Sequence, residues 1–343
     1  MTSRRQHEMR PLSLINDAQI IERLLRHVGM RVARHTTIAE SRGTSRNCSA
    51  AMAKVANEPV SAPRCYNKPM EPQIPIGMVE RPPATLENRI PINNPHADGS
   101  MATILCMKWG KKYGPEYVNR LHSMTGRHLT LPHRFVCLTD DRTGLNAGIE
   151  TFPIPSLELP AGAPERGWTK LVSFSPALTA PGGPELQGDV LFLDLDIVIV
   201  GNMDSFFEQP GDFLIIRDWQ KGDYTGNSSV YRWRAGTYPD VLEYFRANLD
   251  AVRKRHRNEQ EFLTAHLTAQ GKVSYWPVTW CRSFKKHCVK AFPFSLWQPP
   301  EVPAAAKIVV FHGLPNPPDA LVGRSGKWYR RVLPTPWIAE NWN

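Results

Sequence analysis

The sequence predicts an α/β fold: a mixed sheet flanked by helices, preceded by a long N-terminal extension poor in packing residues. Three observations lead there. From Ala102 onward, short apolar runs alternate with longer amphipathic segments, the pattern of a sheet covered on both faces. Of the 10 Trp, 9 Tyr and 13 Phe, only Tyr66 precedes residue 101. One apolar run, Val190–Val200, carries two carboxylates, Asp194 and Asp196, where a buried strand would end.

Composition bounds the reading. The chain has 343 residues, 41% of them hydrophobic, enough for a sizeable core. No stretch approaches the ~20 apolar residues that span a bilayer. The net charge is +10, but residues 1–100 hold 14 basic and 9 acidic side chains, so half of the excess lies outside the aromatic-rich part. That part, 101–343, is read as a single domain. Residues 1–100 are read as a largely disordered extension with one short helix over 14–32, and Met101 is an alternative start. The six cysteines form no CxxC pair. Cys106 and Cys137 fall in apolar strands and are expected to be reduced and buried, as in a cytoplasmic protein.

The elements follow in order. Strand 103–107 leads to a helix over 115–123, with Pro115 suited to the first turn. Strands follow at 134–138 and 149–152, then a helix at about 168–175. Past a Pro/Gly loop come strands 190–193, 213–216 and 228–231. Helices span 238–253 and 259–269, and the last clear strand, 308–311, ends at His312 and Gly313.

The chemistry centres on Val190-Leu-Phe-Leu-Asp194-Leu-Asp196-Ile-Val-Ile-Val200. Carboxylates spaced i, i+2 on an extended backbone point to the same side. Unpaired at the end of a buried strand, they repel each other and lose solvation. A hard divalent cation such as Mn²⁺ or Mg²⁺ relieves both penalties. The carboxyl end of a strand in an α/β sheet is also where ligands bind. The bland alternatives are a solvated acidic turn or a pair satisfied by arginine.

Two enzyme classes fit the string. Asp194-Leu-Asp196-Ile-Val198 matches the DxDx[TV] of haloacid-dehalogenase-like aspartyl phosphatases, in which Asp194 would be the nucleophile. Those proteins carry this motif near the domain start, whereas here much ordered sequence precedes it. The second resemblance is broader. The apolar-DxD-apolar block followed by Gly201-Asn-Met-Asp204-Ser-Phe-Phe207 resembles the DxD region of GT-A glycosyltransferases, especially family 8. Val309-Val-Phe-His312-Gly313 is similar to that family's C-terminal metal-binding histidine element, although Gly follows His312 at once and the family's Lys is missing.

The resemblance implies a GT-A, Rossmann-like fold and a metal held by Asp194, Asp196 and His312. It implies a nucleotide-sugar donor, a UDP-sugar first. Lys108, Trp109, Lys112, Tyr113 and Lys170 would contact its nucleotide. Trp168, Asn227, Ser228 and Gly313 would line the sugar and acceptor side. Asn258-Glu259-Gln260 resembles the family's acidic-Gln pair at a helix start, which implies catalytic roles for Glu259 and Gln260. The acceptor is an unidentified glycan, lipid or protein hydroxyl. Glu259 and Glu261 equally suit a helix's first turn, where the dipole favours acids.

Arg253-Lys-Arg-His-Arg257 sits at a helix C-terminus, where cations are favoured anyway, and no nucleic-acid module accompanies it. No nucleic-acid partner is therefore expected. This segment and the Arg-rich 14–32 leave room for peripheral association with the inner face of a membrane. A catalytically silent sugar- or nucleic-acid-binding protein is the remaining alternative.

Overall fold

The computed structural model describes residues 101–160, 167–219, 225–326 and 331–343. The expected extension over 1–100, with its helix at 14–32, lies outside the described residues.

Continuous apolar runs form the first layer. Strand β1 (Ala102–Lys108) is buried along its whole length and pairs in parallel with β2 (His133–Thr139). Alternation divides its side chains between two cores: Ile104 and Cys106 face one, Leu105 and Met107 the other. Between them α1 (Pro115–His128) begins with Pro115 and buries Tyr117, Val118, Leu121 and Met124, spaced as one helical face requires. It continues past the expected end at 123, because Met124 and Thr125 still contribute to that face.

Next come β3 (Glu150–Phe152), parallel to β2, and β4 (Asp189–Leu193), parallel to β1. The expected helix at 168–175 is a tight turn of 3₁₀ helix over Trp168–Phe174. Beyond β4 the chain bends at Leu195 and Asp196 and enters β5 (Ile197–Ile199), a strand that belongs to a second sheet. A short helix, α2 (Ser205–Glu208), then buries Phe206 and Phe207.

Strands β6 (Phe213–Arg217) and β7 (Gly226–Arg234) complete the centre of the large sheet. β7 is antiparallel to both β4 and β6 and is longer than the expected 228–231. Its Arg232 is buried, and its guanidinium donates to the carbonyls of Phe206, Gln209 and Gly211, satisfying the end of α2. One helix was expected over 238–253, but two form, α3 (Pro239–Ala247) and α4 (Leu249–Arg255), broken at Asn248. α5 (Glu259–Ala269) begins where Asn258 caps it, its side chain accepting from the Glu261 N–H at 3.1 Å.

β8 (Val273–Tyr275) closes the large sheet, whose order is β3-β2-β1-β4-β7-β6-β8. β9 (Cys281–Ser283) and β10 (Ile308–Val310) join β5 in the small sheet, ordered β5-β10-β9. Two short helices, α6 (Pro317–Leu321) and α7 (Trp337–Asn341), finish the chain. Cys106 and Cys137 are buried free thiols paired in register across β1 and β2. No described helix is long and apolar enough to cross a membrane.

Candidate active site

Parallel pairing of β1 with β4 brings their carboxyl ends to one edge of the sheet, and antiparallel β7 starts at that same edge. Leu193 pairs with Val230, and the Asp194 N–H donates to the Ser229 carbonyl at 2.9 Å. The DxD string therefore spans the junction between the sheets. The Phe311 N–H donates to the Asp196 carbonyl at 2.9 Å, which fixes the end of β10 beside the second carboxylate.

A cavity of about 200 Å³ opens here, lined by Met107, Trp109, Lys112, Tyr113, Lys170, Asp194, Leu195 and Asp196. A larger cleft around Arg134, Phe152 and Glu185 contains none of these side chains and involves the amino-terminal half of β1. Among the described residues, carboxylates, lysines and aromatics converge in the smaller one.

Two hydrogen-bonded groups share this edge. In the first, the Lys170 ammonium contacts both Asp194 oxygens, at 2.6 and 2.8 Å, and lies 3.9 Å from Glu259 Oε1. Ser228 Oγ donates to Glu259 Oε1 at 2.7 Å, and the Ser228 N–H donates to Gln260 Oε1 at 3.3 Å. Burial disfavours the Lys170 cation, but Asp194 and Glu259 outweigh it and raise its pKa above the ordinary lysine value.

In the second group, the Tyr113 hydroxyl donates to Asp196 Oδ2 at 2.7 Å. Asp196 is only 9% exposed. Burial, and next the charge of Asp194, push its pKa up to about 6, against the opposing pull of Tyr113, Lys170 and Lys112. Burial and the Asp196 charge in turn push the Tyr113 hydroxyl far up, so it remains a donor.

His312 stands in a third group that the sequence did not reveal. Its Nε2 lies 2.6 Å from Ser283 Oγ, and its ring stacks on Trp219 with centroids 5.6 Å apart. Lys285 donates to the His312 carbonyl, and Gly313 takes a left-handed φ of 68° beside that lysine. Ser283 and Trp219 come from β9 and the segment after β6, far from His312 in sequence, so no local pattern announces them.

Three expected ligand residues are buried and engaged within the protein. Trp168 is a core residue, 3% exposed and stacked on Phe245 at 5.0 Å, so its ring is not presented to a sugar. Lys108 is buried and directs its ammonium to the Asp141 carbonyl at 3.4 Å. Asn227 is buried and uses its Oδ1 on the Ser229 N–H at 3.1 Å.

The donor set suits a hard cation in part. Asp194 and Glu259 share the ammonium of Lys170, and burial, then the charge of Asp194, holds the Asp196 pKa up against Lys170 and Lys112, so a further cation at the two aspartates would be favoured. Among the described residues, no three of His, Cys, Asp and Glu are grouped closely enough to hold a metal as they stand.

No family model matches the chain, and no curated protein matches it. Solved structures do. One is the galactosyltransferase LgtC in complex with donor and acceptor sugar analogs, at TM-score 0.43 and 13% identity, covering 63% of this chain and 88% of that one. Another is the glycosyltransferase GlyE of Streptococcus pneumoniae TIGR4, at TM-score 0.44 and 14% identity, covering 64% of this chain and 56% of that one.

Proposed function

We propose that the chain is a glycosyltransferase that uses a nucleotide-sugar donor and a divalent metal. The observation that carries this reading is the cavity at the carboxyl edge of β1 and β4, where Asp194 and Asp196 share the lining with Trp109, Lys112, Tyr113 and Lys170. An aromatic face for a base, cations for a diphosphate and paired carboxylates for a hard ion are the three recognition elements such a donor needs. The residue pattern resembling family 8 supports it independently.

In this reading Asp194 and Asp196 would hold Mn²⁺ or Mg²⁺, with His312 as third ligand once its Nε2 leaves Ser283. The ion would supply charge neutralisation to the departing nucleoside diphosphate. The chain's own groups do the rest. Lys170 orients Asp194 by contacting both of its oxygens. Tyr113 fixes Asp196 on the cavity wall through its hydroxyl. Lys112, with its ammonium 4.4 Å from the Tyr113 ring centroid, adds positive charge at the mouth for phosphate oxygens. Glu259 and Gln260 lie behind Ser228, close enough to set the polarity beneath the sugar.

The deciding experiment is a thermal-shift panel of nucleoside diphosphates and nucleotide sugars with and without Mn²⁺, run on the parent and on Asp196→Ala. Stabilisation by a nucleoside diphosphate that requires Mn²⁺ and vanishes in the variant is expected. Metal-independent binding retained by Asp196→Ala overturns the ligand assignment. Release of phosphate from an aryl phosphate, stopped by Asp194→Asn, selects the phosphatase instead.

A further inference from the structure

Among the described residues most large aromatics are buried; Tyr244 on α3 is exposed singly, at 48%. Trp233, Tyr231, Phe206, Phe207 and Phe213 are almost wholly enclosed. In the connection between β9 and β10, however, Phe292, Phe294, Leu296 and Trp297 are 76, 51, 37 and 58% exposed. The Phe294 and Trp297 rings meet edge to face at 5.9 Å, so they pack on each other while staying in solvent. The base of the connection is anchored. The Trp337 indole N–H donates to the Pro300 carbonyl at 3.0 Å, and the Glu301 N–H donates to Cys288 at 3.1 Å. The apolar side chains are thus presented to solvent from an anchored segment.

The surrounding charge has one sign. Between Cys281 and Val302 the chain carries Arg282, Lys285, Lys286 and Lys290 against a single acid, Glu301, which pairs with Lys290 at 2.5 Å. Lys286 is exposed on the turn just before the aromatic tip.

We propose that this turn seats the protein on the surface of a bilayer containing anionic lipid, with Phe292, Phe294, Leu296 and Trp297 entering the headgroup boundary. Phe and Trp side chains exposed together favour the water–lipid boundary. The excess of lysine and arginine complements anionic headgroups. A protein partner would need a preformed groove and an acidic rim. The proposal does not depend on the reaction performed in the cavity. It does place the bilayer against the connection that supplies Ser283 to His312 and Lys285 to the His312 carbonyl.

The test is sedimentation of the full chain with phosphatidylcholine vesicles, with and without added phosphatidylglycerol. Binding to the anionic vesicles, weakening as salt is raised, is expected. The triple variant Phe292→Ser, Phe294→Ser, Trp297→Ser should bind about tenfold more weakly or worse, with its melting temperature unchanged because these rings face solvent. Lys286→Glu alone, at an exposed position, should weaken binding several-fold without perturbing the fold. Absence of parent binding to anionic vesicles overturns the proposal. Undiminished binding by both variants also overturns it and assigns attachment to 1–100 or Arg253–Arg257. A triple variant that loses self-association by light scattering while keeping vesicle binding assigns the turn to a protein interface.

Discussion

The Lys170 ammonium is held between Asp194, at 2.6 Å from Oδ1, and Glu259, at 3.9 Å. One cation thus joins the strand end that carries the DxD string to the first turn of α5. Removing it leaves two acids with no compensating charge in a buried place. Lys170→Met is expected to destabilise the fold by about 3–5 kcal/mol and to abolish nucleotide binding. Lys170→Arg keeps the charge and should recover most of the stability. Denaturant unfolding of the three proteins checks this, and equal stability of parent and Lys170→Met contradicts it.

Asp196 makes the opposite prediction for stability. Its pKa is pushed up to about 6 in the fold, against an ordinary aspartate value of about 3.9 when unfolded. The folded state therefore binds the proton more tightly, and the stability of the parent falls as pH rises from about 4 through 6, then levels. Asp196→Asn removes the charge and retains an oxygen for Tyr113. It should be about 2–3 kcal/mol more stable than the parent above pH ~7, with the gain vanishing toward pH ~4. The same variant should lose metal-dependent nucleotide binding. A site that sacrifices stability for a charge is the pattern expected of a ligand-binding carboxylate.

Tyr113→Phe isolates the hydrogen bond. The hydroxyl donates to Asp196 at 2.7 Å and lowers that carboxyl's pKa, so its loss moves the pKa further up. Mn²⁺-dependent nucleotide binding requires the ionised form and should shift its pH midpoint upward, with a few-fold loss near neutrality. Stability should fall by about 1 kcal/mol. Titrations above and below the parent's midpoint measure the shift, and an unmoved midpoint refutes the role given to Tyr113.

The parts of the fold that were legible share a physical cause. Strands 103–107, 134–138 and 190–193 are continuous apolar runs because both sheet faces are covered, and they form within one residue of the expected ends. β5 was hidden because Ile197–Ile199 prolongs the apolar run of β4, and only the bend at Leu195 and Asp196 sends it to another sheet. The break at Asn248 was missed because apolar periodicity continues across it. Arg232 lies past the expected end of strand 228–231, and three carbonyls distant in sequence draw its guanidinium inward. In the site, the two aspartates were visible as charges misplaced in an apolar run. The pairing of His312 with Ser283 and Trp219 depends on long-range packing and left no local trace.

Trp168 gives the sharpest separation between a resemblance and a structure. Its place beside Lys170 implied a sugar contact, but neighbours on a tight helical turn diverge in direction, so Lys170 reaches the cavity while Trp168 enters the core against Phe245. A buried indole in a ring stack contributes through packing. Trp168→Ala should therefore cost about 3–5 kcal/mol of stability, while the protein that remains folded binds nucleotide with unchanged affinity. Trp168→Phe, which keeps a ring against Phe245, should restore much of the loss. A ligand-contacting tryptophan gives the reverse: near-parental unfolding with Kd or KM raised tenfold or more. Unfolding midpoints measured beside nucleotide titrations on the same preparations decide between the two, because packing acts on the first quantity and ligand contact on the second.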